Sequence, residues 1–267
     1  MPEPRLLVDG LHFPEGPCFA PDGTLWWVEI EGGRLGCLAG TEVRFIEIGG
    51  RPNGAVFDDT GILWIADQGL NAVRRFDPTT GAHRIVADAV DDAPLGKPND
   101  LCFDALGRLV FTCSNDARTE PVGYVCRMGS DGSVARIAGG LLFPNGIGFA
   151  PDGAMVVAET YLRRLVKGTS SLVAWAETSG WLGPDGFAFA EDGSVFVAIF
   201  GQGIVQRFAP GGAPMGEIAL PGAKPTNVAL DPSGRLGLVV TEVETGAVYA
   251  VETGARPFMY PGGAMNV

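Results

Sequence analysis

Three features of the 267-residue sequence predict an all-β fold, a six-bladed β-propeller with four-stranded blades: a sixfold internal repeat, an excess of turn residues, and no helical periodicity. A proline recurs at Pro14, Pro52, Pro98, Pro144, Pro184 and Pro225, at spacings of 38, 46, 46, 40 and 41 residues. A polar residue follows each: Glu15, Asn53, Asn99, Asn145, Asp185 and Thr226. Four residues beyond it stand Phe19, Phe57, Phe103, Phe149, Phe189 and Leu230, and eight beyond it every copy has a glycine, from Gly23 to Gly234. Repeats of about 40 to 45 residues with four strands each are propeller blades. The 40 glycines and 20 prolines suit short strands joined by many turns.

Within each unit the polar residue opens a short first strand. The glycine then marks a tight turn, as in Asp58-Asp59-Thr60-Gly61 and Pro151-Asp152-Gly153. An apolar second strand follows, for instance at residues 25–28 and 63–66, and two outer strands complete the blade. In the second unit the outer strands fall at residues 73–76 and 84–86, which leaves His83 in the loop between them. In the sixth unit strands are expected at residues 227–230, 236–241 and 247–251. Six copies fill residues 1–267 as one propeller domain with no linker. Residues 6–11 precede the first proline as an outermost strand precedes it in other copies, so they are expected to close the ring and remove an open edge. Residues 257–260 compete for that place.

A formal net charge of −12 argues against nucleic acid and anionic lipid as partners, because phosphate binding needs a basic patch. The five cysteines are odd in number and lack a C-x-x-C spacing, which reads as free buried thiols in a reducing compartment. No basic stretch followed by an apolar run opens the chain, and no apolar run is long enough to span a membrane. The expectation is a cytoplasmic protein, a monomer or small homo-oligomer.

First strands of a propeller line the central channel, so the residues after the prolines should converge as a ring near one mouth. That ring holds two carboxylates, Glu15 and Asp185, and three carboxamides, Asn53, Asn99 and Asn145. A single Pro-Asn-Gly is ordinary turn chemistry. Two acids in register with three amides are not required by a turn, and forced together without a cation they would repel. Oxygen ligands with no Cys or His suit a hard divalent cation in the channel, such as Ca2+, Mg2+ or Mn2+.

Phe13-Pro14-Glu15-Gly16-Pro17, Lys97-Pro98-Asn99-Asp100, Phe143-Pro144-Asn145-Gly146 and Gly183-Pro184-Asp185-Gly186 resemble the senescence-marker-protein, gluconolactonase and luciferin-regenerating-enzyme family, along essentially the whole chain. The resemblance implies a metal-dependent lactonase, foremost of sugar lactones, whose catalytic cation is held by Glu15, Asn145 and Asp185; the alternatives are the same metal site acting on another ester or a phosphoester, and a non-enzymatic binding propeller with a structural cation. It puts Asn99 beside the metal as ligand or substrate contact, and Asp185 as general base. Asp100 is the reserve base, or a group that orients Asn99. Ca2+ leads as the cation, with Mg2+, Mn2+, Zn2+ and Fe2+ as alternatives. Sugar-lactone members often carry an Arg two residues before that Asn; here Lys97 offers a cation without the bidentate fork.

Loops at the ring's mouth should shape the substrate pocket. Two are long, residues 87–97 and 113–123, and carry Asp91, Asp92, Lys97, Asn115, Asp116, Arg118 and Glu120. Tyr161, Trp181 and Phe200 fall in shorter loops of later blades. With Asn53 they are candidate contacts for a small hydroxylated or cyclic ester. Strand alternation would put Lys97 on the same side as Asn99. Other catalytic sets find little support: there is no G-x-S-x-G, P-loop or dinucleotide fingerprint, and His12 and His83 lack a nucleophile partner. Cys18 and Cys102 share one repeat position and read as small packing residues between blades.

Overall fold

The computed structural model describes residues 3–169 and 171–262. Six four-stranded antiparallel sheets form blades around a channel. Their first strands are Pro14–Phe19, Pro52–Phe57, Pro98–Phe103, Pro144–Phe149, Gly183–Phe189 and Pro225–Leu230. Each packs against the first strands of the blades on either side, and contact between the first and the sixth completes the ring. The chain is therefore a six-bladed β-propeller. Among the described residues the lone helical element is a 3-10 turn, Thr160–Leu162. No helix there is long and apolar enough to cross a membrane.

The core lies between blades. Second strands such as Leu63–Asp67 and Leu109–Cys113 are buried along their whole length, because each face meets a neighbouring sheet. That two-sided burial is why they read as continuous apolar runs rather than alternating ones. Large side chains interlock adjacent blades: Trp26 meets Phe57 edge-on at 5.8 Å, and Trp64 meets Phe103 at 6.5 Å.

The sixth blade is composite. Its strands Pro225–Leu230, Leu238–Glu242 and Ala247–Val251 are completed on the outside by Arg5–Val8. Of the two candidate closing segments, the N-terminal one fills the place, and Leu11 continues it through its N–H to Gly246 O at 2.9 Å. The C-terminal segment runs elsewhere. Pro257 bridges to Ala190, the Phe258 N–H donates to Phe189 O at 2.8 Å, and Gly262 O accepts from Asp59 N–H at 3.0 Å. The segment thus crosses from the fifth blade to the second, over the channel end where the repeated phenylalanines stand.

Two loop assignments change. His83 is the first residue of strand His83–Ala87, with Nδ1 at 2.8 Å from Arg74 Nη2. Residues 87–97 contain a small ribbon, Ala89–Val90 against Ala93–Pro94. Asp91 and Asp92 form its turn, both at positive φ (52° and 58°), as a two-residue turn of this hand requires. These two aspartates are turn residues, and Asp91 also pairs with Arg136 at 3.0 Å.

Acids at the ends of second strands anchor the loops that lead into the ring. Buried Glu29, Asp67, Glu159 and Glu242 accept the backbone N–H groups of His12, Arg51, Leu142 and Lys224 at 2.7–2.9 Å. Arg34, Arg74 and Arg164 pair with the first three. A buried charge persists only when so satisfied, and the loops are held in place as a result.

Candidate active site

The six repeated positions are not equivalent in the folded chain. In four blades the residue before the proline has positive φ: Phe13 (59°), Lys97 (60°), Phe143 (49°) and Gly183 (141°). Proline disfavours such a conformation in its predecessor, and strain of this kind concentrates at functional sites. Arg51 and Lys224, at the equivalent places in the second and sixth blades, are not left-handed. A one-residue bulge follows the proline in five blades and Glu15 in the first. Pairing resumes only at Cys18, Leu101, Ile147 and Phe187 in the four left-handed blades, but already at Gly54 and Asn227 in the other two. Bulges beside active sites re-aim side chains. Two backbone features therefore set Glu15, Asn99, Asn145 and Asp185 apart from Asn53 and Thr226. The left-handed Lys97 also precedes its strand, so strand alternation does not relate it to Asn99.

Buried hydroxyls tie this backbone across blades. Thr112 Oγ1 donates to Asn145 O at 2.8 Å and accepts from Asp100 N–H at 3.1 Å. Thr160 Oγ1 donates to Pro184 O at 2.8 Å and accepts from Asn145 Nδ2 at 3.2 Å. Thr226 Oγ1 donates to Pro14 O at 2.9 Å. Thr226, expected in the ring, is thus fully buried and engaged in packing. Its successor Asn227 enters the channel in its stead, lining the central cavity with Asp100 and lying against Gly186 of the fifth blade. The repeat held a signal for this: one residue past the ring the copies read Gly16, Gly54, Asp100, Gly146, Gly186 and Asn227. Four glycines and two polar side chains mark a second layer.

Glu15, Asp100, Asp185, Asn53, Asn99 and Asn145 are all buried. Burial raises the Glu15 carboxyl well above its ordinary range, and repulsion from Asp185 and Asp100 adds to it. Burial likewise raises Asp185, against a hydrogen bond from Asn145 that favours its charged form. Asp100 is pushed up to about 6 by burial, opposed by the N–H groups of Leu101 and Ile147 and by Asn227. Among the described residues none of the three acids forms an ion pair. Nor do three His, Cys, Asp or Glu side chains there make a ready metal cluster by themselves. A cation would need the carboxamides too, and two carboxylates with two carboxamides form the oxygen set a hard divalent ion accepts.

An ionised carboxylate whose pKa is raised by folding destabilises the fold. For Asp100 the loss begins above the unfolded value of about 3.9 and is complete once the pH passes about 6, roughly 3 kcal/mol in all. In EDTA the melting temperature is therefore expected to fall by several degrees between pH 5 and pH 7.5, and a saturating divalent cation to restore it. A flat profile in EDTA would show that these acids do not share one desolvated space.

At the mouth, Arg118 lies over the Tyr161 ring at 5.7 Å and 3.7 Å from Asp116, and Tyr161 packs edge-on against Phe143 at 5.1 Å. Lys97 is half-buried, its carbonyl accepting the Ser114 N–H at 3.1 Å. The Asn115 amide donates to Val122 O at 2.7 Å inside its own loop. Trp181 is 70% exposed, its N–H donating to Gly201 O at 3.0 Å, and Phe200 ends strand Val195–Phe200 half-buried. On the other side of the ring the channel holds a cavity of about 160 Å3, walled by the repeated phenylalanines, Cys18, Cys102 and the C-terminal Phe258 and Tyr260. The two thiols both pack between blades and face this space, and burial pushes both pKa values up.

Comparison with known proteins places the chain. Over 109 residues it is 31% identical to a gluconolactonase of Zymomonas mobilis, covering 38% of this chain and 31% of that one. Over 152 residues it is 29% identical to the pentonolactonase XacC of Haloferax volcanii, covering 55% and 50%. The chain thus spans half or less of the length of these curated relatives. In fold it superposes on the calcium-binding protein regucalcin of Agrobacterium tumefaciens with a TM-score of 0.85 at 21% identity, over 98% of each chain. It superposes on a gluconolactonase of Xanthomonas campestris with a TM-score of 0.82 at 24% identity, over 92% and 88%. The sequence model of the SMP-30/gluconolactonase/LRE-like region matches residues 13–244, from just before the first ring residue to the end of the sixth inner hairpin, and the chain belongs to that family.

Proposed function

We propose that the chain is a divalent-metal-dependent lactonase, a carboxylic ester hydrolase acting foremost on a sugar lactone. The observation that carries this reading is the set of buried carboxylates without ion-pair partners, facing two carboxamides in the channel of a family member. Glu15, Asn99, Asn145 and Asp185 would hold the cation, Ca2+ first among candidates. Such a cation, once bound, polarises a carbonyl and makes water more acidic.

The chain's own groups do the rest. Asp185, its proton affinity raised by burial, takes a proton from the attacking water as the water oxygen bonds to the lactone carbonyl carbon. The ring C–O bond breaks, the ring oxygen receives that proton, and a hydroxy acid leaves. Asp100 adds negative charge beneath the ring, which favours a proton on Asp185, and it is the alternative base. Asn53, Lys97, Asp116, Arg118 and Tyr161 offer donors, acceptors and a ring face for a hydroxylated substrate. The relatives named as gluconolactonase and pentonolactonase support that substrate class.

The test is a panel of lactones, hydroxylated and unsubstituted, followed with a pH indicator. EDTA-treated protein is assayed alone and with added Ca2+, Mg2+, Mn2+, Zn2+ or Fe2+. Cation-dependent ring opening that favours hydroxylated lactones is expected. Failure of every cation-supplemented sample to open any lactone overturns the reading.

A further inference from the structure

We propose that the cavity at the far end of the channel is a second binding site, one that takes an uncharged molecule of a single aromatic ring. It lies apart from the ring of acids and amides, so it goes beyond the lactonase reading. The cavity originates in the repeat. Three residues past the ring the six copies carry Cys18, Val56, Cys102, Gly148, Ala188 and Ala229, all short side chains or none. The next residue in each copy is one of the repeated phenylalanines, or Leu230 in the sixth. Both tiers line the cavity. Strands whose spacing is fixed by their own ladders cannot close in on a tier of small residues, so a void is left where larger side chains would otherwise meet. Cys102, Gly148, Ala188 and Ala229 stay half-buried on these innermost strands, and the surface they keep is the wall of that void. At Gly148 a Cβ would lie 3.0 Å from Phe187 Cε2, so there the missing side chain makes room for a further phenyl ring in the wall.

The C-terminal segment covers the outer end. Phe258, Met259 and Tyr260 line the cavity there, and the Tyr260 ring stands edge-on to Phe149 at 6.0 Å and to Phe258 at 5.3 Å. Asp100 and Asn227 line the inner end, toward the ring. Size and chemistry then select the ligand. The cavity holds about 160 Å3, and an apolar cavity of about 150 Å3 takes up benzene. Walls of phenyl rings favour an aromatic guest, through edge-on contacts of the kind the wall makes with itself, as between Phe187 and Phe189 at 5.8 Å. A charged group would lose its water against such walls. An anion would also meet the Asp100 carboxyl, and among the described residues no cationic side chain lines the space.

The test is titration calorimetry of the full chain with benzene, in buffer with Ca2+ and in buffer with EDTA, and with benzoate as the charged counterpart in EDTA. The expected result is one benzene per chain with a Kd of about 1 mM or tighter in both buffers, within what a molecule of this size can reach. The melting temperature should rise with benzene, and benzoate should not bind. Ala229→Leu puts a larger side chain into the cavity and is expected to weaken benzene binding at least about 10-fold. Cys102→Leu, on the opposite wall, takes its place if that variant does not fold. A parent that takes up no benzene overturns the site, because the cavity then holds water alone. Benzoate bound as tightly as benzene overturns the ligand class. A filled variant with the parent's affinity for benzene places the ligand elsewhere and overturns the proposal as well.

Discussion

Asp185→Ala is expected to abolish lactone opening and tight cation binding while the β-rich circular dichroism spectrum stays that of the parent. Asp185 follows Pro184, whose carbonyl is fixed by Thr160, and Gly183, where a Cβ would lie 2.0 Å from Thr160 O. The carboxylate is thus delivered by a rigid, locally strained backbone into a buried space shared with Glu15 and Asp100. Removing it takes away one of two charged ligands and the proposed general base together. Loss of positioned proton transfer alone accounts for roughly 10²–10⁴ in rate. The fold should tolerate the change, because an unpaired desolvated carboxylate opposes folding once ionised. In EDTA above pH 7 the variant is therefore expected to melt no lower than the parent. A variant that binds a divalent ion with the parent's affinity would remove Asp185 from the site.

The inner strands were legible in the sequence because propeller geometry repeats a chemical environment six times. A turn glycine eight residues past the ring, and an apolar second strand pressed on both faces, leave the same trace in every copy. What differs between copies was harder to read. Glu15, Asn53, Asn99, Asn145, Asp185 and Thr226 form one column in the sequence, yet only four of them follow a residue of positive φ. Phe13, Lys97 and Phe143 carry no compositional mark of that conformation, since non-glycine residues adopt it only when surrounding structure imposes it. The same lack hid the true direction of Lys97. Asn227 was overlooked for a related reason: a bulge breaks strand alternation, so two successive residues of one strand can serve the channel. The mouth loops were least legible. Asn115 has the chemistry of a ligand-binding amide, and only the fold shows that it donates to Val122 O within its own loop.

Deleting residues 1–11 is expected to remove most of the stability of the whole propeller. Arg5–Val8 is the outer strand of the sixth blade, and its loss leaves Ala247–Val251 as a bare edge. The cost is larger than one strand's ladder. Val8 and Leu11 are buried against Leu25 and Trp27 of the first blade and Val239 and Val248 of the sixth, so they cover the seam where the ring closes. Burying two such aliphatic side chains contributes about 3–6 kcal/mol, against a total of about 5–15 kcal/mol for a typical domain. The effect should also reach the site, since Thr226 Oγ1 crosses that same seam to hold Pro14 O beside Glu15. Urea denaturation and a Ca2+ titration of the truncated chain measure both consequences. The expected outcome is a midpoint lowered by about 1–2 M urea or a chain that does not fold, with cation binding weakened in any folded fraction. A truncated protein with the parent's midpoint would mean that the first and sixth blades hold together through their inner strands alone.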